Sequence, residues 1–201
     1  MAAFCEVVAD QGLNGLTVKD IVSHVGVSRT AFYDCFDDVE GCADAAYERF
    51  IAVLLDRLVV ALDPTKHWIV FVESGVRAYL ETLQADPVVA RALQIEMDAA
   101  GKAARVRRRE ALGLIAAAIN ARHETLMAED PSFAPVPVEA HLALIYGVRQ
   151  LACDALDTED DPDLMRLVEP TVQWIWATVH GASSISELNL STLDTLGSSG
   201  A

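Results

Sequence analysis

Apolar residues recur at helical spacing along almost the whole chain. No segment shows the strict alternation with β-branched residues, bounded by turn signals, that marks a strand. A repeat of this period buries its apolar stripe only by packing helix on helix, so the expected fold class is all-α. Gly, Pro and Asp-Pro breaks divide the chain into about nine helices. The first spans Ala2 to Asp10 and stops at Gly12, the second runs from Val18 to His24, and a short third covers Arg29 to Asp34. Longer helices are expected over 39–62, 66–84, 87–99, 102–127, 138–156 and 162–179, with the Pro-rich stretch 131–137 as a loop. The Ser-rich residues 182–201 read as a mobile tail.

The 201 residues are 52% apolar and 22% charged, which supplies a large core and excludes disorder. A net charge of −15 argues against binding nucleic acid or anionic lipid through bulk electrostatics, because neutralising phosphates needs surplus Lys and Arg. Any nucleic-acid contact must then be local. Cys5, Cys35, Cys42 and Cys153 form neither zinc-type pairs nor a dense disulfide framework, which favours a reducing cytoplasm. No signal core and no apolar run of roughly 20 residues is present, so the expectation is a cytoplasmic protein off the membrane.

The segment Thr17 to Tyr33, TVKDIVSHVGVSRTAFY, has the spacing of a helix-turn-helix. Thr17 can cap the first of its helices, with Asp20 returning a bond; Gly26 permits the turn; Ser28 can cap the second. The spacing alone also fits an ordinary helical corner. Within it, the Thr17 hydroxyl and the free N–H groups beside it suit a phosphate. Ser28, Arg29 and Thr30 open the presumed recognition helix, and Arg29 is the foremost base-reading candidate, since its guanidinium can grip guanine with two bonds. Val18, Ile21, Val25, Phe32 and Phe36 are expected in the core.

The run ADQGLNGLTVKDIVSHVGVSRTAFYDCFDDVEG, through the joint pattern of Gly12, Thr17-Val18, Asp20-Ile21, Gly26-Val27-Ser28, Phe32-Tyr33 and Phe36, resembles the tetracycline-repressor (TetR) family of bacterial transcriptional regulators. The resemblance implies a three-helix DNA-binding domain, here residues 1–48, and a larger helical domain, 49–181, that binds a small molecule and forms homodimers. It adds Tyr33 as a phosphate contact and double-stranded operator DNA as partner. The implied function is a repressor released by a small, largely apolar effector, with no enzymatic activity and no cofactor or metal.

Against that pattern, Val39 stands where the family usually brings a basic residue, flanked by Asp37, Asp38 and Glu40. The first 50 residues carry three basic and nine acidic side chains, a net −6. The family normally has a basic arm before the first helix, so a late start at Met1 is one reading. A helical small-molecule- or partner-binding protein with a degenerate acidic head is the alternative. A bundle enzyme is the remote rival, for want of any nucleophile–base constellation.

Candidate residues for an apolar cavity are Trp68, Phe71, Val72, Tyr79, Leu93, Met97, Ile115, Ile119 and Tyr146, with Glu73, Glu96, His123, His141 and Arg149 as polar groups able to orient a ligand. Each of the apolar ones is more often ordinary core, and surface exposure explains most of the polar ones equally well. The cluster Lys102, Arg105 and Arg107 to Arg109 is expected to be a solvated face paired with local acids. By resemblance, the last two helices form the dimer interface, with Leu142, Ile145, Arg149, Val168, Thr171, Trp174 and Ile175 as contacts and Trp174 as anchor.

Overall fold

The computed structural model describes residues 2–98, 101–130, 133 and 135–185. Among them are nine α-helices and no strand. Helices α1 (Ala2–Gln11), α2 (Val18–Val25) and α3 (Arg29–Tyr33) form a head. Helices α4 (Val39–Ala61), α5 (Trp68–Gln84), α6 (Pro87–Gln94), α7 (Lys102–Glu129), α8 (Val138–Thr158) and α9 (Val168–Ile185) form a body. No helix of the described residues is long and apolar enough to cross a membrane.

Local chemistry explains most of the boundaries. Asp38 and Asp86 accept the N–H groups of Gly41 and Val89 at 2.8 and 3.0 Å, starting α4 and α6, and Pro87 occupies the first turn of α6, where its missing N–H costs nothing. Helix α6 is shorter than its periodicity suggests. The Gln94 carbonyl, which a longer helix would offer to residue 98, instead receives the Arg149 guanidinium from α8, and the chain continues as a 3-10 turn over Glu96–Asp98. The last helix begins later than expected. Asp163 caps a 3-10 turn at Leu164–Leu167, fastened by the Leu164 N–H donating to Gln84 Oε1 at 2.7 Å, and α9 follows it through Ile185. Of the tail expected from 182, residues 186–201 lie outside the described residues, as do 131, 132 and 134 of the expected loop.

One hydrophobic cluster runs from Phe4, Val8, Ile21 and Phe32 through Tyr47, Leu54, Phe71 and Leu80 to Leu156, Val172 and Val179. The core of the head is therefore continuous with that of the body. Helix α1 packs on α6 as well as on α2 and α4, while α5 is the central helix, touching α4, α6, α7 and α9. Val25, expected in this core, is 46% exposed. It ends α2 one residue before the left-handed Gly26 (φ 73°), and the chain turns away before another element can cover it.

Arg91 of α6 closes the end of α8 by donating from Nε to the Leu156 carbonyl at 2.7 Å and from its NH2 group to the Glu159 carbonyl at 2.9 Å. These acceptors belong to the last turn of α8 and its cap, where the helix supplies no internal donor. Arg91→Met should lower stability by about 1–2 kcal/mol in urea melts, because two part-buried carbonyls lose their donor. An unchanged midpoint would show that water replaces the guanidinium freely.

Candidate functional site

Two regions of this frame combine exposed or unpaired polar groups with defined geometry. The first is the outer face of the head. Thr17 and Asp20 form a closed capping box: the Asp20 N–H donates to Thr17 Oγ1 at 3.4 Å, and Asp20 Oδ2 accepts from the Thr17 N–H at 2.9 Å and hydroxyl at 2.5 Å. The same bonds from Thr17 hold the Asp20 carboxyl below its ordinary range. Gly26 takes the left-handed conformation that redirects the chain, and Ser28 Oγ accepts the Ala31 N–H at 3.1 Å to start α3.

Thr17, Ser28, Arg29, Thr30 and Tyr33 are all exposed, on one α2–α3 unit. Phe32 is buried and Phe36 partly so, and the Tyr33 ring stands edge-on to Phe32 with centroids 5.6 Å apart, which fixes its direction outward. A short helix is thus anchored by its aromatic underside and presents hydroxyls, a guanidinium and a phenol to solvent. Val39 opens α4 beside it, capped by Asp38, so the acid-rich rim read in the sequence borders this face.

The second region is a cavity of about 100 Å³ lined by residues of helices α4 to α9. Its middle is aliphatic, with Leu54, Leu58, Val72, Ile115, Ile119 and Leu144 on the wall. Its polar groups are segregated. Around Tyr79 stand Tyr47, Gln94, Arg108 and Arg149; Trp68 and His141 stand elsewhere on the wall, linked through the buried His123, whose ring centroid lies 5.6 Å from Trp68 and 5.2 Å from His141. The Tyr79 hydroxyl, the Trp68 Nε1 and both ring nitrogens of His123 and His141 are shut off from solvent without a hydrogen-bond partner. Burial pushes the Tyr47 and Tyr79 phenols up and keeps them neutral. Burial, with the neighbouring His123, brings His141 down to about 4, and burial lowers His123 too, so both imidazoles are uncharged near neutral pH.

The first 46 residues match the model of bacterial regulatory proteins of the tetR family. The head belongs to the TetR family. The described residues have a TetR-like fold, shown by their likeness to solved structures. One is a bacterial regulatory protein in the tetR family from Rhodococcus RHA1, 19% identical, covering 86% of this chain and 92% of that one with a TM-score of 0.70. A second is the fatty acid degradation regulator FadR from Bacillus halodurans, 18% identical, covering 86% and 89% with a TM-score of 0.74. A third is a TetR-like transcriptional regulator from Rhodococcus sp. RHA1, 14% identical, covering 90% and 93% with a TM-score of 0.68. No curated protein matches the chain in sequence.

On this TetR-like frame the expected cavity residues divide. Trp68, Phe71, Val72, Tyr79, Ile115, Ile119, His141 and Arg149 line the cavity. Leu93 and Met97 are buried but off its wall, and Tyr146 is 39% exposed on the outer side of α8. Glu73 faces outward, paired with Arg77 at 2.8 Å, and Glu96 lies against Gly12 of the head, where an added Cβ would come within 3.2 Å of its Oε2. Sequence reasoning missed Tyr47, Gln94 and Arg108 as wall residues. Tyr47 shares a helical stripe with Ile51, Leu54 and Leu58, a signal that was available, whereas Arg108 is indistinguishable in sequence from its neighbour Arg107, which pairs outward with Asp44 at 2.7 Å and Glu48 at 3.2 Å.

The expected dimer contacts divide in the same way. Arg149, Val168, Thr171 and Ile175 are buried within the chain, Leu142 and Ile145 are half-buried, and Ile145 lines the cavity. Trp174 is 42% exposed and lies across Gly147 so tightly that a Cβ there would meet its ring at 2.7 Å. Tyr146 and Leu151 are exposed on α8, the helix that carries Gly147.

Proposed function

We propose that the chain is a ligand-responsive transcriptional regulator that binds operator DNA as a homodimer in the cytoplasm and acts as a repressor released by a small, largely apolar effector. The observation that carries this reading is the pairing of an outward-facing α2–α3 unit with a largely apolar cavity, joined by one continuous core. In this reading Arg29 reads a base edge, Thr17, Ser28, Thr30 and Tyr33 hold phosphates or base edges, and the exposed strip around Trp174, Tyr146 and Leu151 pairs with its copy. The name of the structurally similar FadR, a fatty acid degradation regulator, agrees with an apolar effector. Two recognition helices must sit about one DNA turn, roughly 34 Å, apart, and an effector that favours another spacing lowers affinity by population shift.

The test is a salt-dependent titration of the full chain against DNA from its own upstream intergenic region. Specific binding should weaken with salt, and Arg29→Ala should reduce it about tenfold at the bases it contacts, the loss of one guanidinium–guanine pair. The acidic rim of the head, net −6 over 50 residues, favours the second reading, a helical ligand- or partner-binding protein. Absence of any specific DNA complex would establish that reading in place of the first.

A further inference from the structure

Resting on the reading of the cavity as the effector site, its volume and the polar atoms on its wall narrow the chemistry of the occupant. A volume of about 100 Å³ is smaller than the roughly 150 Å³ that holds one benzene ring in an engineered apolar cavity, so at the same packing the occupant has about four or five non-hydrogen atoms. Trp68 and Tyr79 both lie on the wall, but the helical rise of α5 sets them about 16 Å apart, so a molecule of that size reaches one of them and not both.

The wall has no charge to spare for such a molecule. Among the described residues no carboxylate lines the cavity, the Tyr47 and Tyr79 phenols and the His141 imidazole are neutral, and Arg108 and Arg149 are both engaged within the protein, Arg149 with the Gln94 carbonyl among its partners. An ion would give up its hydration there without a counter-charge, so the occupant is uncharged. What the wall does offer is concentrated at one end. Trp68 and His141 are each 1% exposed, and Trp68 Nε1 and both ring nitrogens of His141 have no hydrogen-bond partner. Their neighbours supply none: Trp68 stacks on Phe71 with ring centroids 5.8 Å apart, and His123, which neighbours both, leaves its own two nitrogens unpartnered. The indole N–H only donates and a neutral imidazole donates from one nitrogen, so the complementary group is an uncharged oxygen. Tyr79 sets a single unpartnered hydroxyl against these three nitrogens.

We propose that the cavity binds a short-chain alcohol or ketone of about four or five non-hydrogen atoms, its oxygen accepting from Trp68 Nε1 and the His141 imidazole. Its alkyl part lies against Val72 and Leu144, which line the cavity one helical turn on from Trp68 and His141. The oxygen removes the desolvation cost carried by the unpaired indole and imidazole nitrogens, so it contributes more than a solvent-exposed hydrogen bond does.

The test is a nitrogen-15 NMR titration of the full chain with butan-1-ol, butanone, 1-chlorobutane, butylamine and octan-1-ol, without DNA, so that its result is independent of operator binding. Butan-1-ol and butanone should each saturate one site per chain and move one indole N–H signal, that of Trp68, assigned by its loss in Trp68→Phe. Both should bind about tenfold more tightly than 1-chlorobutane, which matches them in size and lacks the oxygen. Butylamine, charged at neutral pH, should not saturate, and octan-1-ol should bind more weakly than butan-1-ol because it exceeds the volume. His141→Leu should remove most of the advantage of the oxygen while leaving the affinity for 1-chlorobutane and the helical circular dichroism spectrum in place. Equal binding of butan-1-ol and 1-chlorobutane or butylamine, tighter binding of octan-1-ol, saturation that leaves the Trp68 indole unmoved, or no saturable binding would overturn the proposal. Binding of butan-1-ol without any specific DNA complex would sustain it while sinking the regulator reading; a specific DNA complex without alcohol or ketone binding would do the reverse.

Discussion

Between pH 7 and pH 4 the folded chain should lose about 3 kcal/mol of stability through His141 alone, about 2 kcal/mol of it by pH 5. The imidazole is 1% exposed and stacked edge-on against a second buried imidazole, His123, which in turn faces Trp68 and Phe133. Its pKa falls from the ordinary 6.5 to about 4 in the folded state. Below 6.5 the unfolded chain therefore binds a proton that the folded chain refuses. Stability is complete above about 6.5 and drains as pH falls toward 4, the sign required for a depressed pKa. His123, lowered for the same reason, adds to the slope. Urea melts at stepped pH measure it directly, with His141→Phe as the reference that carries the carboxylate titrations but not this one. Parallel curves for the two proteins between pH 7 and pH 5 would refute the assignment.

Trp174→Arg should weaken the proposed dimer by at least about 100-fold, the loss of a central aromatic anchor of 2 kcal/mol or more combined with two like charges meeting near the symmetry axis. The indole is 42% exposed and seated over Gly147, so its replacement leaves the buried residues around it in place and the helical circular dichroism spectrum should be kept. Sedimentation velocity at micromolar concentration reads the change in mass. In the proposed mechanism specific DNA binding disappears at the same concentrations, because a monomer reaches only one half-site. A Trp174→Arg protein that remains dimeric would move the interface away from α8 and α9.

The head was the most legible part of the sequence because its determinants are local. Thr17 and Asp20 are three residues apart, Gly26 has to adopt φ 73°, and Ser28 caps the next turn; each feature needs only its immediate neighbours. Where distant chain segments meet, legibility falls. Arg149 lies on the stripe of α8 that suggests an outer interface, yet it reaches the Gln94 carbonyl 55 residues away and becomes part of the cavity wall. That same bond shortened α6. Leu93 and Tyr146 show the general reason: helical period reveals which residues share a face, not which neighbour that face meets. The unpaired nitrogens of His123 and His141 are likewise invisible in sequence, since a histidine on an apolar stripe reads alike whether its partner is present or missing.

The seam between α1 and α6, with Gly12 set against Glu96, makes the head a poor candidate for exchange. Residues 1–46, the unit recognised by family, share a packed seam with the body, because α1 rests on α6 as well as on α2 and α4, and Phe4 and Val8 lie in the cluster that continues into the body. A chimera that grafts another TetR-like head onto this body inherits a mismatched surface unless the facing residues of α6 travel with it. The unit visible in family comparison ends at a residue across which the core of this chain continues without a break.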